Sequence, residues 1–294
     1  MTDALFSLPV SKTISPHITL RQQDQLPIVV IDHPQLKAAV ALQGAHLIAW
    51  QPTGAAPVIW LSDNTLFKEG KAIRGGIPVC FPWFGPVAEP SHGFARSMPW
   101  AFSSHIDDAD GVTLTLTLRD NEETRAIWPQ AFKVDARFAL TKTSCDIALE
   151  FEGEYSVTSA LHTYFNIGDI SRVRVSGLGE RFIDKVDPEN PGLQHGDLSF
   201  PNRTDRIYTE PDAISVIHDP VLERTIEVHH HNHSDVVAWN PGEQLSKTMS
   251  DLTDEGYKTF VCVETARISQ PVNITRHAPA KLATSIRVHS TNAK

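Results

Sequence analysis
The sequence predicts an all-β fold, a large antiparallel β-sandwich. Three observations carry that expectation: many short apolar runs with a period of two, turn signals between almost all of them, and scarcely any helix of ordinary length. The residues around Ile14-Ser15-Pro16 read as an irregular lead-in, and Leu26–Ile31 as the first strand. Ala38–Leu42 is ambiguous. Ala45–Trp50 reads as a strand closed by Gln51-Pro52-Thr53-Gly54, and Pro57–Leu61 is a further short apolar run. Val112–Leu118 alternates threonine with apolar residues and is the plainest half-buried strand in the chain. Asn121–Trp128 suits a short helix, because Pro129 cannot continue one. Phe132–Phe138 and Asp146–Glu152 alternate again, with a turn between them. Val173–Val175, Thr225–Val228, Val236–Trp239 and Ala283–Val288 are the later strands. No linker, repeat or compositional break divides the chain, so residues 1–294 are expected to form one domain, with Pro188-Glu189-Asn190-Pro191 a loop inside it.

Composition narrows the function. An apolar fraction of 41% is enough for a real core and too high for a disordered chain. A net charge of −9 would repel a nucleic-acid backbone, so no nucleic-acid partner is expected beyond a local basic pocket. No apolar run approaches membrane-spanning length and the first residues lack a basic start, so no membrane association is expected. Three cysteines, odd in number and far apart, suggest reduced thiols and a cytoplasmic setting.

Four stretches carry chemistry. In Thr259–Ala266 a strand would place Phe260, Cys262, Glu264 and Ala266 on one face, which puts an ionisable group in line with core-type residues. Burial would raise its pKa and make it a candidate proton acceptor; taken alone, the strand favours a solvated or arginine-paired carboxylate. Arg74–Gly85 holds paired glycines and two prolines, which suit a stiff aromatic loop better than a central strand. It presents Arg74, and His92-Gly93-Phe94-Ala95-Arg96 presents a histidine and a second arginine. Two forked guanidiniums suit a phosphate or carboxylate, and pairing with nearby acids is the competing explanation. Ala160–Gly168 reads as a strand-like run with His162, Tyr164 and Asn166 on one face. His229, His231 and His233 have ligand-like spacing, but the stretch looks polar and loop-like. A solvated turn is expected there, and no metal.

Taken together, the runs R-G-G-I-P-x-C-F-P-W-F-G at 74–85, H-G-F-A-R at 92–96, A-L-H-T-Y-F at 160–165, V-V-A-W-N-P at 236–241 and F-V-C-V-E at 260–264 resemble the hexose-6-phosphate mutarotases, a branch of the aldose 1-epimerase (galactose mutarotase-like) superfamily. The resemblance runs from the first third of the chain nearly to its end. It implies a sandwich with the sugar on a concave sheet face, His162 as general acid and Glu264 as general base. It also implies phosphate contacts from Arg74 and Arg96, a sugar contact from His92 and, on a shorter motif, another from Asp205. The expected enzyme is an isomerase exchanging α and β anomers of hexose 6-phosphates as a monomer, without cofactor. A non-catalytic carbohydrate-binding sandwich and, further behind, a metal enzyme built on the His229–His233 cluster are the alternatives.

Overall fold
In this computed structural model, which describes residues 2–188 and 192–291, strands dominate and every ladder is antiparallel. The first five strands, Val10–Ser15, Ile18–Gln23, Leu26–His33, Leu36–Ala41 and His46–Pro52, form a meander in chain order. A second sheet runs, in spatial order, through Arg174–Ser176, Ile214–Asp219, Arg224–His231, Ala280–Ser290, Ser144–Gly153, Phe132–Thr141, Gly111–Arg119 and Ala101–Asp107. The third runs through Gly192–Leu193, Arg181–Asp184, Thr204–Tyr208, Asp235–Asn240, Phe260–Ile274, Tyr155–Leu161 and Val79–Cys80. Tyr164–Asn166 pairs with Phe260–Ile274 beside Tyr155–Leu161. Between the sheets lies one apolar cluster whose members run from Ile18 to Ile286. No helix among the described residues is long and apolar enough to cross a membrane.

The strand of Phe260–Ile274 follows its period-two pattern. Val261 and Val263 point into the main core. Phe260 and Cys262 instead join Trp60, Tyr164 and Leu252, while Ala266 joins Cys80, Ala160, Ile207 and Val237. Glu264 lies between these two small apolar patches on the same face, and its residue is 1% exposed. The strand then turns into Ala280–Ser290, which pairs inside the other large sheet with Ser144–Gly153 and Arg224–His231.

Several expectations need correction. The lead-in at Ile14-Ser15 belongs to a full strand, Val10–Ser15, paired with Ile18–Gln23; its mostly exposed side chains hide the usual apolar alternation. The ambiguous run at Ala38–Leu42 is a strand to Ala41, buried on both faces. Pro57–Leu61 forms only isolated bridges, from Ile59 to Phe165 and Leu61 to Gly75. The histidine run is not a solvated turn. His229–His231 close the strand Arg224–His231, and His230 is buried with Nδ1 2.7 Å from Thr265 Oγ1 and Nε2 3.0 Å from Ser215 Oγ. Burial holds the His230 imidazole down at about 3, so it is a neutral core residue. In the Pro188–Pro191 loop, Glu189, Asn190 and Pro191 lie outside the described residues. The short helix stands as expected, Glu122–Ile127, with Asn121 capping through Thr124 N.

Candidate active site
His162 sits where a strand is interrupted. The ladder of Tyr155–Leu161 stops, two residues leave it, and Tyr164–Asn166 resumes against Phe260–Cys262. The gap is filled by the loop of the first motif: His162 N donates to Pro78 O at 3.0 Å and Tyr164 N to Gly76 O at 2.9 Å. The expected uniform strand face is therefore broken at the histidine. What aims the ring is packing: Tyr164 stacks on it at 5.0 Å and 9°, and Trp239 and His92 meet it edge-on.

The loop itself depends on two glycines. Gly75 has φ +106°, and a Cβ there would lie 2.7 Å from Trp60 O; Gly76 has φ +66°, and its Cβ would meet Leu47 O at 2.5 Å. Only glycine fits so close to neighbouring backbone in these conformations. Beneath them the buried His46 gives Nε2 to Gly75 O at 2.7 Å, and burial lowers its pKa to about 4, so the contact is a neutral donor's. Arg74 leaves this rigid stretch with its Nε donating to Asp251 Oδ2 at 3.0 Å and Nη1 to Tyr164 Oη at 2.9 Å. Burial works against its charge, but Tyr164 and Asp251 outweigh that and hold the guanidinium more firmly protonated than usual.

His92 follows from the second motif. Its Nδ1 accepts from Gly85 N at 3.2 Å and faces Cys80 Sγ at 3.4 Å, so the ring proton belongs on Nε2. Burial, with Arg96 and Arg74 nearby, lowers its pKa to about 4. It is a neutral hydrogen-bond donor at neutral pH. Arg96, in a single turn of 3₁₀ helix (Ala95–Ser97), engages only Ser91 O among the described residues, through Nη2 at 2.9 Å. Asp205 lies on Thr204–Tyr208, two strands from Glu264 across Asp235–Asn240. Its pKa is raised by burial, partly offset by Arg203 and Lys185, and its nearest cation is Arg203 at 3.7 Å.

All six predicted residues, His162, Glu264, Arg74, Arg96, His92 and Asp205, line one cavity of about 360 Å³. That volume is within the range of small-molecule sites. A larger, more open cleft of about 770 Å³ near Gly168–Ser171, Phe200 and Tyr257 contains none of them and no histidine. At the centre of the smaller cavity His162 Nδ1 stands 3.3 Å from Glu264 Oε1, an ion-pair distance, yet the two are not aligned for a hydrogen bond. His162 Nδ1 and Glu264 Oε2 are both buried without a partner. Burial lowers the His162 pKa well below its usual value, with His92, Arg96 and Arg74 adding to it. Burial and Asp205 raise that of Glu264 well above the carboxylate range, against Arg96. A neutral imidazole therefore faces a carboxylic acid.

Sequence reasoning missed Asp251, Tyr164's hydroxyl contact, Lys185 and Trp239. The last two also line the cavity, while Asp251 comes from a loop with no motif character. Only Tyr164 and Trp239 lay within recognisable runs. Two groups of potential metal ligands occur among the described residues. In His17, His33 and Asp107 the nitrogens are engaged: His33 with Asp108 O and Gln35 N, and His17 Nδ1 with Asp107. His162, Cys262 and Glu264 offer atoms within 4.8 Å of one another, but Arg74 and Arg96 line the same cavity and oppose a divalent cation there.

An antiparallel sandwich carrying a buried imidazole and carboxyl over a sugar-sized cavity defines a class, the aldose epimerases. The aldose 1-epimerase family model matches residues 27–286, and the chain belongs to that family. It is 54% identical over 292 residues to a Salmonella typhimurium protein named "Putative glucose-6-phosphate 1-epimerase", covering 98% of this chain and 99% of the relative. An Escherichia coli protein of the same name is 56% identical over the same shares. The solved structure of a "putative mutarotase" from Salmonella typhimurium superposes with a TM-score of 0.97 at 53% identity, covering 99% of each chain. The chain is thus an epimerase-family isomerase with a galactose mutarotase-like fold.

Proposed function
We propose that this chain exchanges the α and β anomers of hexose 6-phosphates, glucose 6-phosphate foremost, acting as one domain over residues 1–294. The observation that carries the reading is the sharing of one cavity by the His162–Glu264 pair and the guanidiniums of Arg74 and Arg96. The first pair serves the chemistry of any aldose; two guanidiniums beside it suit an anionic substituent such as a phosphate. The names borne by the curated relatives point the same way.

Glu264 takes the proton of the anomeric hydroxyl while His162 protonates the ring oxygen. The C1–O5 bond breaks, leaving an aldehyde and a C5 hydroxyl. Rotation about C1–C2 presents the other carbonyl face, and reclosure returns both protons. Each positioned acid or base typically contributes ~10²–10⁴-fold, which suffices for a reaction that water alone already performs.

The pair holds the right number of protons in the wrong place. Carboxylic acid plus imidazole has the same proton count as carboxylate plus imidazolium, so one transfer between Glu264 and His162 arms the pair. Arg96 favours the carboxylate. His92 donates Nε2–H to a sugar oxygen, and Asp205 accepts from a hydroxyl. The deciding experiment is anomer exchange by NMR on glucose 6-phosphate, galactose 6-phosphate, mannose 6-phosphate and free glucose. Acceleration of the phosphates above glucose supports the reading. Equal acceleration of glucose removes the phosphate from it, and no acceleration at all leaves a carbohydrate-binding sandwich.

A further inference from the structure
Arg74 and Arg96 reach the same cavity in very different states. Among the described residues Arg96 has one of its five N–H donors engaged, on a backbone oxygen. Arg74 donates through Nε to Asp251 and through Nη1 to Tyr164, and its Nη2 is also 3.0 Å from Asp251 Oδ2. Its backbone is pinned as well, with N donating to Thr65 Oγ1 at 2.7 Å and O accepting from Ser62 N at 3.1 Å. Asp251 is equally fixed. Its carbonyl accepts from Ser62 Oγ at 2.6 Å, and the next residue, Leu252, is buried against the aromatic patch of Trp60, Tyr164 and Phe260.

We infer that Asp251 is a positioning residue: it holds one edge of the Arg74 guanidinium so that the remaining N–H groups face the bound phosphate. This rests on the phosphate reading given above. A carboxylate beside an anion-binding arginine costs affinity by charge alone, since it offsets the attraction. Its presence is explained if the orientation it imposes outweighs that loss, because a preorganised fork surrenders less side-chain freedom on binding. The Tyr164 hydroxyl holds the second edge and links the same network to the ring stacked on His162.

The two roles predict opposite signs. As a positioning residue, Asp251→Ala weakens calorimetric binding of glucose 6-phosphate and raises its KM about tenfold, with kcat within about threefold. Asp251→Asn keeps an acceptor for Nε and stays within about threefold of wild type. If Asp251 is only a counter-ion, both variants bind the phosphate more tightly, and that result or an unchanged KM overturns the inference. Should Asp251→Ala not fold, Asp251→Ser, too short to reach Nε, carries the same comparison. Calorimetry with inorganic phosphate separates this inference from the functional reading. A wild type that exchanges glucose as fast as glucose 6-phosphate refutes the preferred substrate, while the sign of the Asp251→Ala effect on phosphate binding still decides the role of Asp251.

Discussion

His162 Nδ1 and Glu264 Oε1 face each other at 3.3 Å without a hydrogen bond, each group with a buried, unpartnered polar atom beside the gap. Such orphaned atoms are costly in a folded protein. Glu264→Gln and His162→Asn are each expected to slow anomer exchange by about 10²–10⁴-fold, read by polarimetry. Glucose 6-phosphate affinity should stay within a few-fold, since neither change touches the arginines. Wild-type rates in either variant would reject the assignment.

The same burial has a thermodynamic signature. A carboxyl whose pKa is raised in the folded protein keeps its proton while the unfolded chain loses it. Stability from this group is therefore full below about 4.5 and declines as pH rises toward the folded value. Glu264→Gln removes that loss, so the variant should be more stable than wild type at pH 8, with the margin narrowing at pH 5. Thermal melts at the two pH values test this; a variant that is no more stable at either contradicts it.

His92 with a pKa of about 4 is neutral through the physiological range, so its titration should leave no mark on the rate profile above about pH 5. His92→Gln can replace the Nε2 donor, whereas His92→Phe cannot. The glutamine variant should keep at least tenfold more kcat/KM than the phenylalanine one. Equal damage would mean that His92 serves by shape alone.

Arg96, the less engaged guanidinium, should dominate discrimination. Arg96→Met is expected to raise KM for glucose 6-phosphate by more than tenfold with little effect on exchange of free glucose, and adding Arg74→Met should abolish the preference. Competition assays with both sugars would show it. Retained preference in the double variant would place the anion elsewhere.

Gly75→Ala would force a side chain into a backbone at φ +106° whose Cβ lies 2.7 Å from Trp60 O. The expected loss is about 2–4 kcal/mol of stability, with Arg74 displaced as the loop shifts. Urea unfolding and the KM for glucose 6-phosphate should worsen together.

The legible parts of this protein are those where local pattern and tertiary role agree. The alternation in Gly111–Arg119 and the segregation of Phe260, Cys262 and Glu264 from Val261 and Val263 are visible in the residues, because a sheet with two environments imposes a period of two. All six site residues lay in recognisable runs and meet in one cavity. The ionic state of His162 and Glu264 was not legible, since it depends on burial and on arginines that lie far away along the chain. Asp251 was hidden for a related reason: its meaning comes from Arg74, 177 positions earlier. His230 misled because a polar run resembles a turn until Ser215 on the paired strand and Thr265 in the other large sheet supply its partners.

The hairpin of Phe260–Ile274 and Ala280–Ser290 inserts one arm into the middle of each large sheet. Until those residues emerge from the ribosome, Tyr155–Leu161 cannot meet Asp235–Asn240, nor Ser144–Gly153 meet Arg224–His231, through the strands that bridge them. Assembly should thus be held back until synthesis has passed residue 290, with apolar edges open in the meantime. Glu264 is carried by that bridging segment, so catalytic competence should require closure of the fold.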